Sequence, residues 1–212
     1  LAGMRLEDTA LDLNQVTTGQ QGSQTYFRLY PSLHVSRGIG EQQKLRFSAT
    51  RRVFRPGGSD LNPFPVQSGE FAVRAGNPNL EPSDYDSFEA GWSYEAGRTT
   101  RSATAFMRHS SNARTQITTL LSPTVTLVTP ANLAEQTSGG VEFAASGRIT
   151  PKLDYIIFST AVYSEIDAAN LGFMDTRSTY AADAKLALNW RATENGTLQV
   201  NAAVIGRRVT PQ

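Results

Sequence analysis

Histidine, serine and carboxylate groupings are where hydrolytic chemistry would start, and this chain offers few of them. His34 and His109 are its only imidazoles, so a histidine-dependent hydrolase would have to use one of the two. His109 is followed by Ser110 and Ser111, an order that could set a general base beside a nucleophile. The structural reading is stronger: His109 follows Met107 on a segment that runs into a polar loop. No nucleophile elbow, paired-histidine metal motif or phosphate loop accompanies it. The stretch Gly57-Gly58-Ser59-Asp60-Leu61-Asn62 lacks the ligand spacing of a calcium loop. Asn195-Gly196-Thr197 has the form of a glycosylation sequon, but Asn-Gly suits a tight hairpin better. The absence of cysteine removes disulfides, thiolate metal sites and cysteine nucleophiles together. We therefore expect no enzymatic activity, no catalytic residue, no metal site and no cofactor.

Composition narrows the class further. Twenty Lys and Arg against nineteen Asp and Glu leave a net charge of +1, so no field points to nucleic acid as a partner. No run of about eighteen apolar residues occurs, which excludes a transmembrane helix. The chain starts at Leu1 without an initiator Met or signal peptide, and we expect both ends to be truncated.

The informative signal is alternation. Leu45, Phe47 and Ala49 oppose Lys44, Arg46, Ser48 and Thr50; Phe88, Ala90, Trp92 and Tyr94 oppose Ser87, Glu89, Gly91 and Ser93. Ala182, Ala184, Leu186, Leu188 and Trp190 oppose Asp183, Lys185, Ala187, Asn189 and Arg191. Each is a strand whose two faces meet different solvents. Similar segments surround Phe27 to Val35, Ala103 to Met107, Val141 to Ala145 and Leu198 to Val204. The segment 153–164 is apolar on both faces, and the first one, near Met4 and Leu6, loses its phase after Asp8. The count is about nine strands.

Connection lengths alternate: long at 14–25, 55–84, 110–136 and 165–177, short at 38–42, 95–98, 150–152 and 192–196. Tight periplasmic turns and long external loops are the habit of outer-membrane barrels. Trp92, Tyr94, Tyr155 and Trp190 lie near short turns, where an aromatic girdle belongs. The expected fold is all-β, an antiparallel up-and-down transmembrane β-barrel, with residues 1–212 forming one partial barrel domain. The competing reading is a soluble all-β binding domain, whose core would be richer in Val, Ile and Leu than these mixed Ala and aromatic faces.

The stretch from Gly76-Asn77-Pro78-Asn79-Leu80-Glu81-Pro82 through Asp84, Phe88, Glu89, Gly91 and Tyr94 resembles a segment of TonB-dependent receptor barrels. Phe47 to Pro56 followed by Asp60-Leu61-Asn62-Pro63-Phe64, and Asn132-Leu133-Ala134 followed by Ser138-Gly139-Gly140-Val141-Glu142, are similar to further stretches of the same receptors. Read by itself, the first motif is a stiffened loop: Pro78 and Pro82 fix the backbone and Asn77 and Asn79 suit turns, so that an external loop folds back onto the barrel. The resemblance implies a bacterial outer-membrane barrel of 22 strands around an N-terminal plug, importing a scarce nutrient such as a ferric siderophore. Its implied partners are outer-membrane lipid, a small nutrient ligand and TonB, the last through regions absent from this chain. An outer-membrane porin or enzyme barrel is the alternative within the same fold. For transport, ligand contacts should come from lumen-facing side chains near the external rim and from long loops. By position these are Arg52, Arg55, Asp60, Asn62, Phe64, Arg74, Arg108 and Arg114. Basic residues suit an anionic ferric chelate, with sugars and cobalamin left open.

Overall fold

The computed structural model describes residues 1–133, 135–172 and 176–206. Ala134 of the third motif and the chain end at Gln212 lie outside them. In chain order the elements are β1 (Ala2–Gln15), β2 (Gln20–Ile39), β3 (Gln43–Phe54), α1 (Gly58–Leu61), β4 (Val66–Gly69), β5 (Ala72–Arg74), β6 (Ser83–Ala96) and β7 (Thr99–Ser111), then β8 (Arg114–Leu120), β9 (Thr126–Asn132), β10 (Glu135–Thr150), β11 (Leu153–Asp167), β12 (Arg177–Arg191) and β13 (Thr197–Val204). Nine of the strands form one sheet in the order β1-β2-β3-β6-β7-β10-β11-β12-β13, every neighbour antiparallel. These are the nine segments that alternation picks out.

Cross-strand partners share a face, so register sorts the side chains. One face carries Val35, Phe47, Ala90, Ala105 and Val141, joined through consecutive pairs. The other carries His34, Ser48, Glu89, Phe106 and Gly140 along the same rungs. The large apolar side chains of the first face are open to solvent, with Val35 at 52%, Phe88 at 49% and Val141 at 57%. An exposed apolar sheet face of this extent is stable only against lipid, and the polar face then lines the lumen.

Register also settles the ambiguous eleventh strand. Ile157 pairs with Ala145 and Leu186 on the lipid face, while Ile156 and Phe158 pair with Ser146 and Ala144 on the polar face. Tyr155 lies over Gly147, whose Cβ would come within 3.2 Å of the ring. At the opposite end of the strand, Tyr163 packs on Tyr180 with ring centroids 4.9 Å apart. From Tyr155 to Tyr163 the rise is roughly 20 Å at about 3.3 Å per residue and 40° of tilt, close to the apolar band of such barrels. Tyr163 and Tyr180 thus mark an external girdle that sequence reading did not identify. The periplasmic girdle is as expected: Trp92 stacks near Tyr94 and its indole donates to Gln43 Oε1 at 2.9 Å.

Two expectations need correction. The connection expected to be long at 14–25 is a four-residue turn between β1 and β2, because the ladder continues to the Gln15 and Gln20 pair. This upper hairpin stands above the membrane, where apolar alternation no longer reports facing. The lost phase after Asp8 has the same origin. Met4 and Leu6 point outward, but beyond Asp8 the half-buried positions are Thr9, Leu11 and Leu13 on the opposite face. The outward side has become aqueous there.

The other long connections are not simple loops. Those at 55–82 and 112–134 contribute β4, β5, β8 and β9 to a second sheet, in the order β4-β5-β9-β8, with β5 parallel to β9. The buried apolar residues concentrate in and beside this cap: Leu61, Leu80, Ala131, and a cluster of Ala113, Leu133, Ile166 and Ala168. The ordinary hydrophobic core therefore sits at the external end of the wall.

Candidate functional site at the external rim

The loop around Asn77 is bound from three directions. Gly76 N donates to Asn62 O at 2.8 Å and Asn77 N to Asp60 O at 2.7 Å. A Cβ on Gly76 would lie 2.5 Å from Asn62 O, so only glycine permits this approach. From the β1–β2 hairpin, Gln24 Nε2 donates to Pro78 O and Leu80 O. From β9, Asn132 holds Glu81 as a neighbouring strand would: Oδ1 accepts from Glu81 N at 2.9 Å and Nδ2 donates to Glu81 O at 3.0 Å. The same amide donates to Asn112 O at 2.8 Å. Asn112 adopts a left-handed φ of 55°, and its side chain reaches Glu81 Oε2 at 2.8 Å. Leu80 is fully buried beneath these bonds. The loop folds back onto the wall, as the proline and asparagine pattern led us to expect.

The predicted contact residues divide into three groups. Asp60, Arg74 and Arg114 meet: the Asp60 carboxylate is 2.8 Å from Arg114 and 3.9 Å from Arg74. Asp60 Oδ2 also accepts from Gly57 N at 3.1 Å. Asp60 is buried, and its ion pairs join β5 and β8 to α1, so this trio works as a brace within the cap. Asn62 stands beside it, its Oδ1 accepting from Gln15 Nε2 and from Phe64 N, while Phe64 is exposed. Arg55 is spoken for by an ion pair with Glu7, and a second pair, Arg28 with Asp84, ties the same hairpin to β6.

Arg52 and Arg108 form the remaining group. Both border a hollow of about 610 Å³ on the polar face, with Tyr85, Ser87 and Glu89. Arg108 pairs with Glu89 at 3.4 Å and lies 4.4 Å from the Phe106 ring centre. Arg52 is the only predicted arginine without a carboxylate partner among the described residues. Position alone could not separate these two arginines from the braced ones: Arg55, Arg74 and Arg114 meet carboxylates of the hairpin and the cap, whereas the partner of Arg108, Glu89, lies within the wall. Tyr85 and Glu89 escaped the sequence reading as site residues, although each pairs across β3, with Arg52 and Ser48 respectively.

His109 lies on the opposite face, paired with Asp86 and Thr137. Its Nδ1 is 3.0 Å from Thr137 Oγ1 and its Nε2 3.4 Å from Ser111 Oγ. The nearby Asp86 carboxylate is engaged by Arg51 through two bonds of 2.7 and 2.6 Å. A hydroxyl stands where a triad would need a carboxylate to orient the ring.

The sequence profile of the outer membrane protein beta-barrel family matches residues 1–212. No match was found among curated proteins. Among solved structures, the siderophore receptor PirA from Pseudomonas aeruginosa aligns over 96% of this chain and 37% of its own, at TM-score 0.66 and 15% identity. The Serratia marcescens hemophore receptor HasR, solved with its hemophore HasA and heme, aligns over 96% and 39%, at TM-score 0.60 and 15% identity. The copper transporter OprC aligns over 89% and 29%, at TM-score 0.59 and 11% identity. The chain thus spans less than two fifths of each of these proteins, and what it shares with them is the barrel fold.

Proposed function

Because this chain belongs to the outer membrane protein β-barrel family and resides in the bacterial outer membrane, we propose that it is part of the wall of a receptor that imports a scarce, anionic small nutrient. A ferric chelate is the favoured cargo, and energy is supplied by TonB acting on other parts of the protein. The observation that carries this reading is the division of the arginines. Three are consumed in holding the external loops, whereas Arg52 and Arg108 face the hollow on the lumen side, where a descending anion would meet them. Guanidinium groups suit such cargo because they bind carboxylate, catecholate or phosphate oxygens with directed, charge-assisted bonds. The structurally similar proteins, a siderophore receptor, a hemophore receptor solved with heme and a copper transporter, favour uptake of metal-bearing nutrients in general. Binding of ferric chelates to the full-length protein, followed by tryptophan fluorescence, tests it. Arg52→Gln with Arg108→Gln should weaken binding at least about tenfold, given the strength of hydrogen bonds to charged groups. Unchanged affinity in that variant would remove these arginines from the cargo path.

A further inference from the structure

The lipid face carries a groove that uptake does not use. Its floor is Ala90, Ala103 and Ala105, where Ala90 pairs with Ala105 and Ala103 with Trp92. Phe47 pairs with Ala90 on one side and Val141 with Ala105 on the other. Alanines between rows of larger side chains leave a trough of about 620 Å³, almost wholly apolar in lining. Val35, Phe47 and Val141 rise on either side of these alanines, which gives the hollow the shape to seat an acyl chain.

On the lipid face, charged groups mark one end of it only; Arg46, Thr104 and Glu142 also border it but belong by register to the lumen face. Arg37 pairs with Leu45 on the lipid face and borders the trough at its periplasmic end. Arg101 stands one step nearer the same rim, paired with Tyr94 and 6.0 Å above its ring. Both are exposed. Glu41 and Glu95 are the carboxylates of the adjoining turns, and neither forms an ion pair with these arginines among the described residues. Two unneutralised guanidinium groups beside an indole, at the foot of an acyl-sized trough, have the chemistry that an anionic headgroup needs.

We propose that this face binds one anionic glycerophospholipid of the periplasmic leaflet, with an acyl chain along Ala90, Ala103 and Ala105 and its phosphate between Arg37 and Arg101. The site is independent of the cargo, so its failure would leave the uptake reading standing.

Native mass spectrometry of the full-length protein in detergent, titrated with dioleoyl phosphatidylglycerol or dioleoyl phosphatidylcholine, tests the assignment. The wild type should retain one phosphatidylglycerol in clear preference to phosphatidylcholine. Arg37→Gln with Arg101→Gln should lower phosphatidylglycerol affinity roughly thirtyfold, about 2 kcal/mol at tenfold per 1.4 kcal/mol, and abolish the preference. Arg37→Lys with Arg101→Lys should keep it, and heat-modifiable electrophoretic mobility confirms that each variant is folded. Ala105→Phe, which fills the trough, should weaken both lipids alike. Equal retention of the two lipids by the wild type, or a preference that survives in the glutamine variant, would overturn the headgroup site. Unaltered binding in Ala105→Phe would overturn the groove.

Discussion

A single amide does much of the work of closing the external loop. Asn132 presents a donor and an acceptor in the spacing of a peptide group, and the Glu81 backbone answers both, its N–H donating to Oδ1 and its carbonyl accepting from Nδ2. Asn132→Ala should leave the Glu81 backbone unpaired and cost about 1–3 kcal/mol locally. The readout is faster amide exchange and protease cleavage at 76–82, with the wall unaffected. Asn132→Asp keeps the acceptor and should lie between the two. The residue was visible in the Asn132-Leu133 motif, but as the opening of a strand. Its role depends on Glu81, 51 positions away, and no local pattern encodes that distance. The proline and asparagine loop was legible because its chemistry is local: fixed φ at Pro78 and Pro82, and turn-forming side chains at Asn77 and Asn79.

Among elements, the wall strands were readable and the cap strands were not. A wall strand separates lipid from lumen, so its two faces differ at every step and periodicity reveals it. The cap strands β4, β5, β8 and β9 are three to seven residues long, too short for a period, and are set by pairing between two loops. Where β10 meets β11, Gly140 tolerates no side chain: a Cβ would fall 2.2 Å from Ala161 O and 3.1 Å from the Phe106 ring. Gly140→Val should force these strands apart and cost more than about 3 kcal/mol, as severe overpacking does. Loss of the heat-modifiable, folded band on electrophoresis, or its conversion at lower temperature, would report it. Persistence of the wild-type transition would mean that the β10–β11 contact is looser than described.

For the molecule as a whole, the test is which face meets lipid. Val141→Arg, in the apolar band, should destabilise by about 2–4 kcal/mol in a bilayer, whereas Phe158→Arg on the lumen face should cost far less. Denaturant unfolding in lipid vesicles compares them, and an equal cost would contradict the assigned facing. Net charge conceals a related asymmetry. The basic side chains Arg37, Lys44, Arg46, Arg98, Arg101, Arg148, Lys152 and Arg191 gather near the periplasmic turns, where Glu41, Glu95, Asp154 and Glu194 are the acids. A value of +1 suggested an electrically featureless protein, because composition sums over positions that the fold keeps at opposite membrane surfaces.

The segregation of buried apolar residues into the cap means that the two parts of the chain depend on different solvents. Water alone can drive Leu61, Leu80, Leu133 and Ile166 together, but it opposes the wall, whose apolar side chains face outward. Stripping lipid should therefore leave the cap packed while the wall seeks other hydrophobic cover, most readily the same face of a second molecule. Aggregates formed on delipidation would then be joined through their membrane surfaces, with the external loops still in their native arrangement and still recognisable to a ligand or antibody approaching from outside.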